Sequence, residues 1–175
     1  MFWLTDSIEA VRDFMALGGP VLFVIALVIF MMWVLIVERL LFFRSTMKTM
    51  VREVREDWEG RTERRSWHAA QIRELMISRF SLATNKGIAM IQTFVALCPL
   101  LGLLGTVTGM ISVFQVLAVS GSGNVRAMAA GVSQATIPTM AGMVGALSGV
   151  LLVTLLTRRA AREVQFLEDS LTMDH

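Results

Sequence analysis

In this chain of 175 residues, the side chains best placed to do chemistry are hydroxyls and one amide set in long uncharged runs. Thr106 and Thr108 stand in one run; Gln134, Thr136 and Thr139 stand in another. None of them ionises, but each can hydrogen-bond a carboxylate or a hydrated ion without adding a fixed charge. Thr106 lies fourteen residues before Ser120 and Thr139 thirteen after Arg126. On helices, both then sit about 20 Å from the short polar turn between them, at a common depth. A single threonine in an apolar helix commonly bonds its own backbone. Two at matched depth on separate helices point to the lining of a pore. Around Thr139, Ala135, Gly142, Ala146 and Gly149 fall within about 80° on an ideal helix, making a smooth face with one hydroxyl on it. Gln134 points roughly to the opposite side, where an interhelical hydrogen bond is its first role and a place on an ion path its second.

What the runs lack is as informative. No Asp, Glu, Lys, Arg or His occurs in residues 20–37, 87–125 or 127–157. Proton passage through lipid ordinarily needs an ionisable group inside the membrane. If this chain takes part in such passage, another chain must lend the acid. His68 and His175 lie outside the runs, and the single Cys98 can form neither an intrachain disulfide nor a thiolate metal cluster. No cofactor or metal site is expected. No nucleophile and base pair stands in the runs, so catalysis is not expected either.

Small residues punctuate the same runs. Gly105 and Gly109 are spaced GxxxG, as are Gly145 and Gly149, with Gly142 one turn earlier. Such residues let helix backbones approach closely in lipid, and so many small faces predict an oligomer. Pro138 leaves the Gln134 carbonyl without its usual partner and is expected to kink the helix beside Thr139.

The elements that must position these residues follow from composition. Hydrophobic residues make up 55% of the chain and the mean hydropathy is +0.64, more apolar surface than a soluble core of this size can hide. Each uncharged run approaches or exceeds the roughly 20 residues that cross a bilayer. An all-α membrane protein with three transmembrane helices and a small helical cytoplasmic domain is expected. The segments are an interfacial amphipathic helix over 1–17, a first span over 18–37, a cytoplasmic helical segment over 38–86, a second span over 87–119, a turn over 120–126, a third span over 127–157 and a C-terminal helix over 158–175. The first segment reads as an interfacial helix from Leu4, Ile8, Val11 and Met15, with Trp3 as an anchor, and not as a cleavable signal. In the middle segment Met47, Met50, Val51, Val54 and Trp58 form one apolar stripe, and Trp67, Leu75 and Leu82 suggest another. The second and third spans are too long for the bilayer: as one helix, residues 127–157 would reach roughly 46 Å against about 30 Å of hydrocarbon. Both are expected to continue into the cytoplasm as part of an oligomeric bundle. Fourteen of the sixteen lysines and arginines fall in residues 38–86 and 158–162. The positive-inside rule places those segments in the cytoplasm and the N-terminus and SGSGN turn outside. The same asymmetry explains the basic pI better than nucleic-acid binding does.

The stretches PLLGLLGTVTG (99–109) and GVSQATIPTMAGM (131–143), with WVLIVERL at the end of the first span, resemble the MotA/TolQ/ExbB proton-channel family, most closely its ExbB branch. The resemblance implies a pentamer in a Gram-negative inner membrane, built around the transmembrane helices of an ExbD-like single-span protein whose aspartate is the missing acid. It also implies coupling to a TonB-like protein that energises transport across the outer membrane, iron uptake included. Thr106 and Thr139 match the two family threonines that face that aspartate. Gln134 stands where family members often carry a glutamate. A TolQ-like subunit of an envelope system and a passive membrane scaffold are the alternatives.

Overall fold

The computed structural model describes residues 18–61, 63, 66–120 and 125–172, together with Glu9, Arg12, Phe14 and Met15. Among these residues every regular element is helical: α1 (Gly19–Glu59), α2 (Trp67–Asn85), α3 (Ile88–Ser120) and α4 (Val125–Ser170). Three stretches are long and apolar enough to cross a membrane, namely Gly19–Glu59, Trp67–Val119 and Val125–Ser170. The expected interfacial helix over 1–17 falls largely outside the described residues, as does the SGSGN turn.

Helix α1 opens on Gly19, whose φ of 67° is open to glycine and strained for most other residues. Pro20 follows in the first turn, where its missing donor costs nothing. From there α1 runs 41 residues, about 60 Å. It does not stop at Glu38 and Arg39, where the first span was expected to end. Those charges mark a change of surroundings, while the backbone meets no glycine or proline until Gly60. The overhang expected for the second and third spans is thus shared by the first. Helix α2 begins on the N-cap Ser66, whose hydroxyl accepts from the Ala69 amide at 3.2 Å. It ends before Gly87, at φ 83°, and the chain turns into α3.

The chain divides into two compact units, one of residues 1–33 and 93–150, the other of residues 34–92 and 151–175. The first is apolar inside and out. Leu22, Ile25, Met32 and Cys98 are buried, while Phe23, Leu27, Phe30, Leu103, Val144 and Leu147 are exposed on its surface. A helix apolar all round belongs in lipid.

In the second unit Met47, Trp58, Ala69, Phe80, Leu167 and Leu171 form one buried cluster, flanked by Met50, Val51 and Val54. The stripe expected at Trp67, Leu75 and Leu82 is not the packed one: these residues are 69%, 48% and 71% exposed. α2 buries Ala69, Phe80 and Thr84 instead. It carries apolar residues on more than one face, so spacing alone could not choose between them, and the face bearing Phe80 fills the space beside Met47 and Trp58. Polar contacts close this unit. The Trp58 indole donates to the Thr172 carbonyl at 3.0 Å. Arg73 donates to the Leu171 carbonyl at 2.6 Å and to that of Glu168 at 2.7 Å, capping the negative end of α4.

Candidate functional site

The candidate residues gather where α3 and α4 meet in the first unit. Small residues set the spacing. A side chain at Gly102 would come within 3.0 Å of the Thr139 Cα, one at Gly105 would strike the Pro138 ring, and one at Gly109 would strike Ala135. Further along, Gly142 faces the Cys98 carbonyl, Gly145 faces Ile29, and Gly149 faces Val95 and Met32. All of these neighbours belong to the same chain. The glycine spacing thus serves to close one protomer. α4 is helical through Pro138, which is fully buried.

This seam decides what each polar group can do. The Thr139 hydroxyl donates across it to the Gly102 carbonyl at 2.9 Å. The other three threonines bond their own helices: Thr106 to the Leu103 carbonyl at 2.7 Å, Thr108 to Leu104 and Gly105 at 3.0 Å each, and Thr136 to Ser133 at 3.1 Å. Each hydroxyl gives its proton to a carbonyl, so its oxygen lone pairs remain as acceptors. Thr106 and Thr139 are half-buried, and Thr108 and Thr136 are exposed. Because residues 102–105 lie beside 138–139, Thr106 and Thr139 sit within about one turn of each other in level. The smooth face of Ala135, Gly142, Ala146 and Gly149 is turned into the protomer: Ala135 and Ala146 are buried and Gly142 and Gly149 touch α3.

Gln134 lies apart from Thr139. Its amide nitrogen is so placed that a side chain on Gly19 would come within 2.9 Å of it. Together with Thr108, Ser112 and the Gly18–Pro20 turn, Gln134 lines a small cavity of about 90 Å³. Ser112 and the opening turn of α1 were missed in the sequence, where nothing ties residue 19 to residue 134.

Arg39 in the second unit was also missed. It is only 7% exposed, its Nε lacks a hydrogen-bond partner among the described residues, and its Cζ lies 5.1 Å from the Phe42 ring centroid. The tight approach of Gly87 to its guanidinium leaves no room there for a side chain. The only sequence signal was a charge pair at the end of an apolar run. Among the described residues no group of His, Cys, Asp and Glu could hold a metal ion.

Three apolar spans joined to a charged helical unit, with hydroxyls on an otherwise uncharged seam, define a multi-pass membrane protein with all its polar membrane chemistry carried by neutral groups. The model of the MotA/TolQ/ExbB proton channel family matches residues 39–169, and the chain belongs to that family. It is 36% identical over 85 residues to ExbB-like protein 1 of Synechocystis sp., whose name assigns it to biopolymer transport. The match covers 47% of this chain and 34% of the relative, so the chain spans about a third of that protein's length. No solved structure matches it significantly.

Proposed function

We propose that this chain is an ExbB-type subunit that, with an ExbD-like partner, uses the proton motive force to energise TonB-dependent transport across an outer membrane. In this reading five copies surround the partner's transmembrane helices in a Gram-negative inner membrane. The N-terminus is periplasmic, and the middle segment and C-terminus are cytoplasmic, as the fourteen-to-two split of basic residues suggests.

One observation carries the reading: in a member of a proton-channel family, the uncharged runs offer hydroxyls and amides but no Asp, Glu, Lys, Arg or His. A proton carrier has to come from outside the chain. A partner carboxylate, when protonated, would donate to the Thr106 or Thr139 oxygen with the backbone bond kept; when ionised, it would accept from the same hydroxyl as that hydroxyl turns away from the Leu103 or Gly102 carbonyl. The two threonines would thus serve both states of a borrowed acid, and alternation between those states would step the partner against the ring. Gln134 and Thr136 would extend the polar track.

The test is uptake driven by the proton gradient, measured beside assembly of the complex. Thr139→Val and Thr106→Val should keep assembly and lower uptake, the double variant most, while Thr139→Ser should retain part of the activity. Normal uptake by the double valine variant at normal abundance would remove both threonines from the mechanism.

A further inference from the structure

In the second unit a groove of about 680 Å³ opens between α1 and α4, with Leu40 and Phe43 on its floor and Arg44, Lys48, Arg159 and Arg162 around it. Glu163 is its one carboxylate. The four cations are exposed. The ion pairs among the described residues are Arg52–Glu56 and Arg55–Glu59, so none of the four is paired with a described residue. The Arg162 Nε approaches only the Arg158 carbonyl of its own helix, at 3.4 Å. Four cations facing one carboxylate give the groove a net positive charge and leave most of their donors open.

Where this groove sits says what it would hold. On α1 the uncharged run, short enough to match the hydrocarbon, ends at Val37, and because Met32 faces Gly149 that level falls near Thr154 on α4. Arg159 then lies about 7 Å beyond that level, Arg44 about 10 Å and Arg162 about 12 Å, and the arginine stems can reach back along apolar surface. A lipid headgroup layer extends about 5–8 Å past the hydrocarbon. Lys48 lies about 16 Å out, but its long stem can reach back along apolar surface. On α4, Leu151, Leu155, Arg159 and Arg162 fall on one face within about 80°; on α1, Val37, Leu41, Arg44 and Lys48 do the same within about 60°. The leucines and Val37 are exposed, from 47% to 65%. Both walls therefore pass from apolar to cationic in the order of a lipid, acyl chain then phosphate.

We infer that this groove is a binding site for an anionic phospholipid, its phosphate held by Arg44, Lys48, Arg159 and Arg162 and its acyl chains laid along Val37, Leu41, Leu151 and Leu155. A free phosphate would satisfy the cations but leave the apolar half of both walls uncovered. An acidic segment of another protein would leave it uncovered too. The charge pattern matches basic pockets between membrane helices that hold anionic headgroups.

The experiment uses the full chain purified in detergent, offered phosphatidylglycerol and phosphatidylcholine of identical acyl chains, with retained lipid counted by native mass spectrometry. Wild type should retain phosphatidylglycerol preferentially, by about tenfold or more. Arg44→Gln with Lys48→Gln, and separately Arg159→Gln with Arg162→Gln, should each cut that preference severalfold. Arg52→Gln with Arg55→Gln, which removes the same charge from α1 outside the groove, should leave it within about twofold. A photoactivatable phosphatidylglycerol on wild type supplies a second readout independent of variant folding, and it should label peptides covering 37–48 and 151–163.

Equal retention of the two lipids, or equal loss in all three variants, would overturn the site. So would labelling elsewhere, or displacement of the bound lipid by inorganic phosphate alone. A change in oligomeric state in the groove variants, with lipid preference intact, would instead assign the groove to contact between copies and overturn the lipid.

Discussion

The two units of this chain are held together by opposite kinds of side chain. In the unit of residues 1–33 and 93–150, backbones meet over glycine, with Gly102, Gly109 and Gly142 each facing main-chain atoms of the neighbouring helix. In the unit of residues 34–92 and 151–175, a tryptophan, a phenylalanine and two leucines fill the space between helices, and an arginine ties off a helix end. The difference follows from the solvent. In lipid, burying a large apolar side chain gains little, because the lipid is as apolar as the protein; close approach and hydrogen bonds hold the helices together. In water, burial of large apolar groups is the main driving force. A site made of small residues and hydroxyls is thus a product of the lipid half of the chain, and the other half gives it no counterpart.

That contrast can be broken most forcefully at Trp58. Trp58→Ala removes a fully buried indole and its bond to the Thr172 carbonyl, and should cost about 3–5 kcal/mol. Denaturant unfolding followed by hydrogen exchange in α2 would show it, and a loss below about 1 kcal/mol would mean that the water-facing core is not organised around the indole. Next come the glycines, where the kind of neighbour sets the size of the effect. Gly142→Ala would drive a methyl into the Cys98 carbonyl, which is backbone and cannot move aside; a cost of about 1–3 kcal/mol is expected. Gly145→Ala meets only the flexible end of Ile29 and should be milder in thermal unfolding in detergent. Equal effects at the two sites would dissolve the distinction.

Arg73→Met should release the last carbonyls of α4 at a cost of about 1–2 kcal/mol, with earlier hydrogen exchange in residues 168–172 as the local sign. The smallest effect on stability is expected from Thr139→Val. Losing one interhelical hydrogen bond in a membrane typically costs about 0.6 kcal/mol. A much larger cost would recast Thr139 as a structural pin.

The spans were legible because a charge-free run of this length is too apolar and too long to be housed anywhere but in lipid. The stripe from Met47 to Trp58 was legible because its apolar residues keep one helical face. The extension of α1 to Glu59 was not legible at Glu38 and Arg39, since charge reports on the surroundings and helix continuity depends on glycine and proline. The face of α2 was misread for want of contrast between its sides. At the site, matched depth for Thr106 and Thr139 could be worked out from residue counts. The bond from Thr139 to the Gly102 carbonyl could not, because it depends on how closely Gly102 lets the helices approach. The glycines were visible as packing residues, but spacing does not say whether the neighbouring helix belongs to the same chain.

The central claim is that this subunit supports proton movement without an acid of its own, and reconstitution tests it most directly. The chain would be placed in vesicles with a pH-sensitive dye inside, alone, with a single-span partner of the proposed ExbD-like kind, and with that partner's membrane aspartate changed to asparagine. Proton entry under an imposed gradient should require the partner and should fall to background with the asparagine form. Proton flux through the chain alone, or undiminished flux with the asparagine form, would contradict the borrowed acid and with it the role given to Thr106 and Thr139.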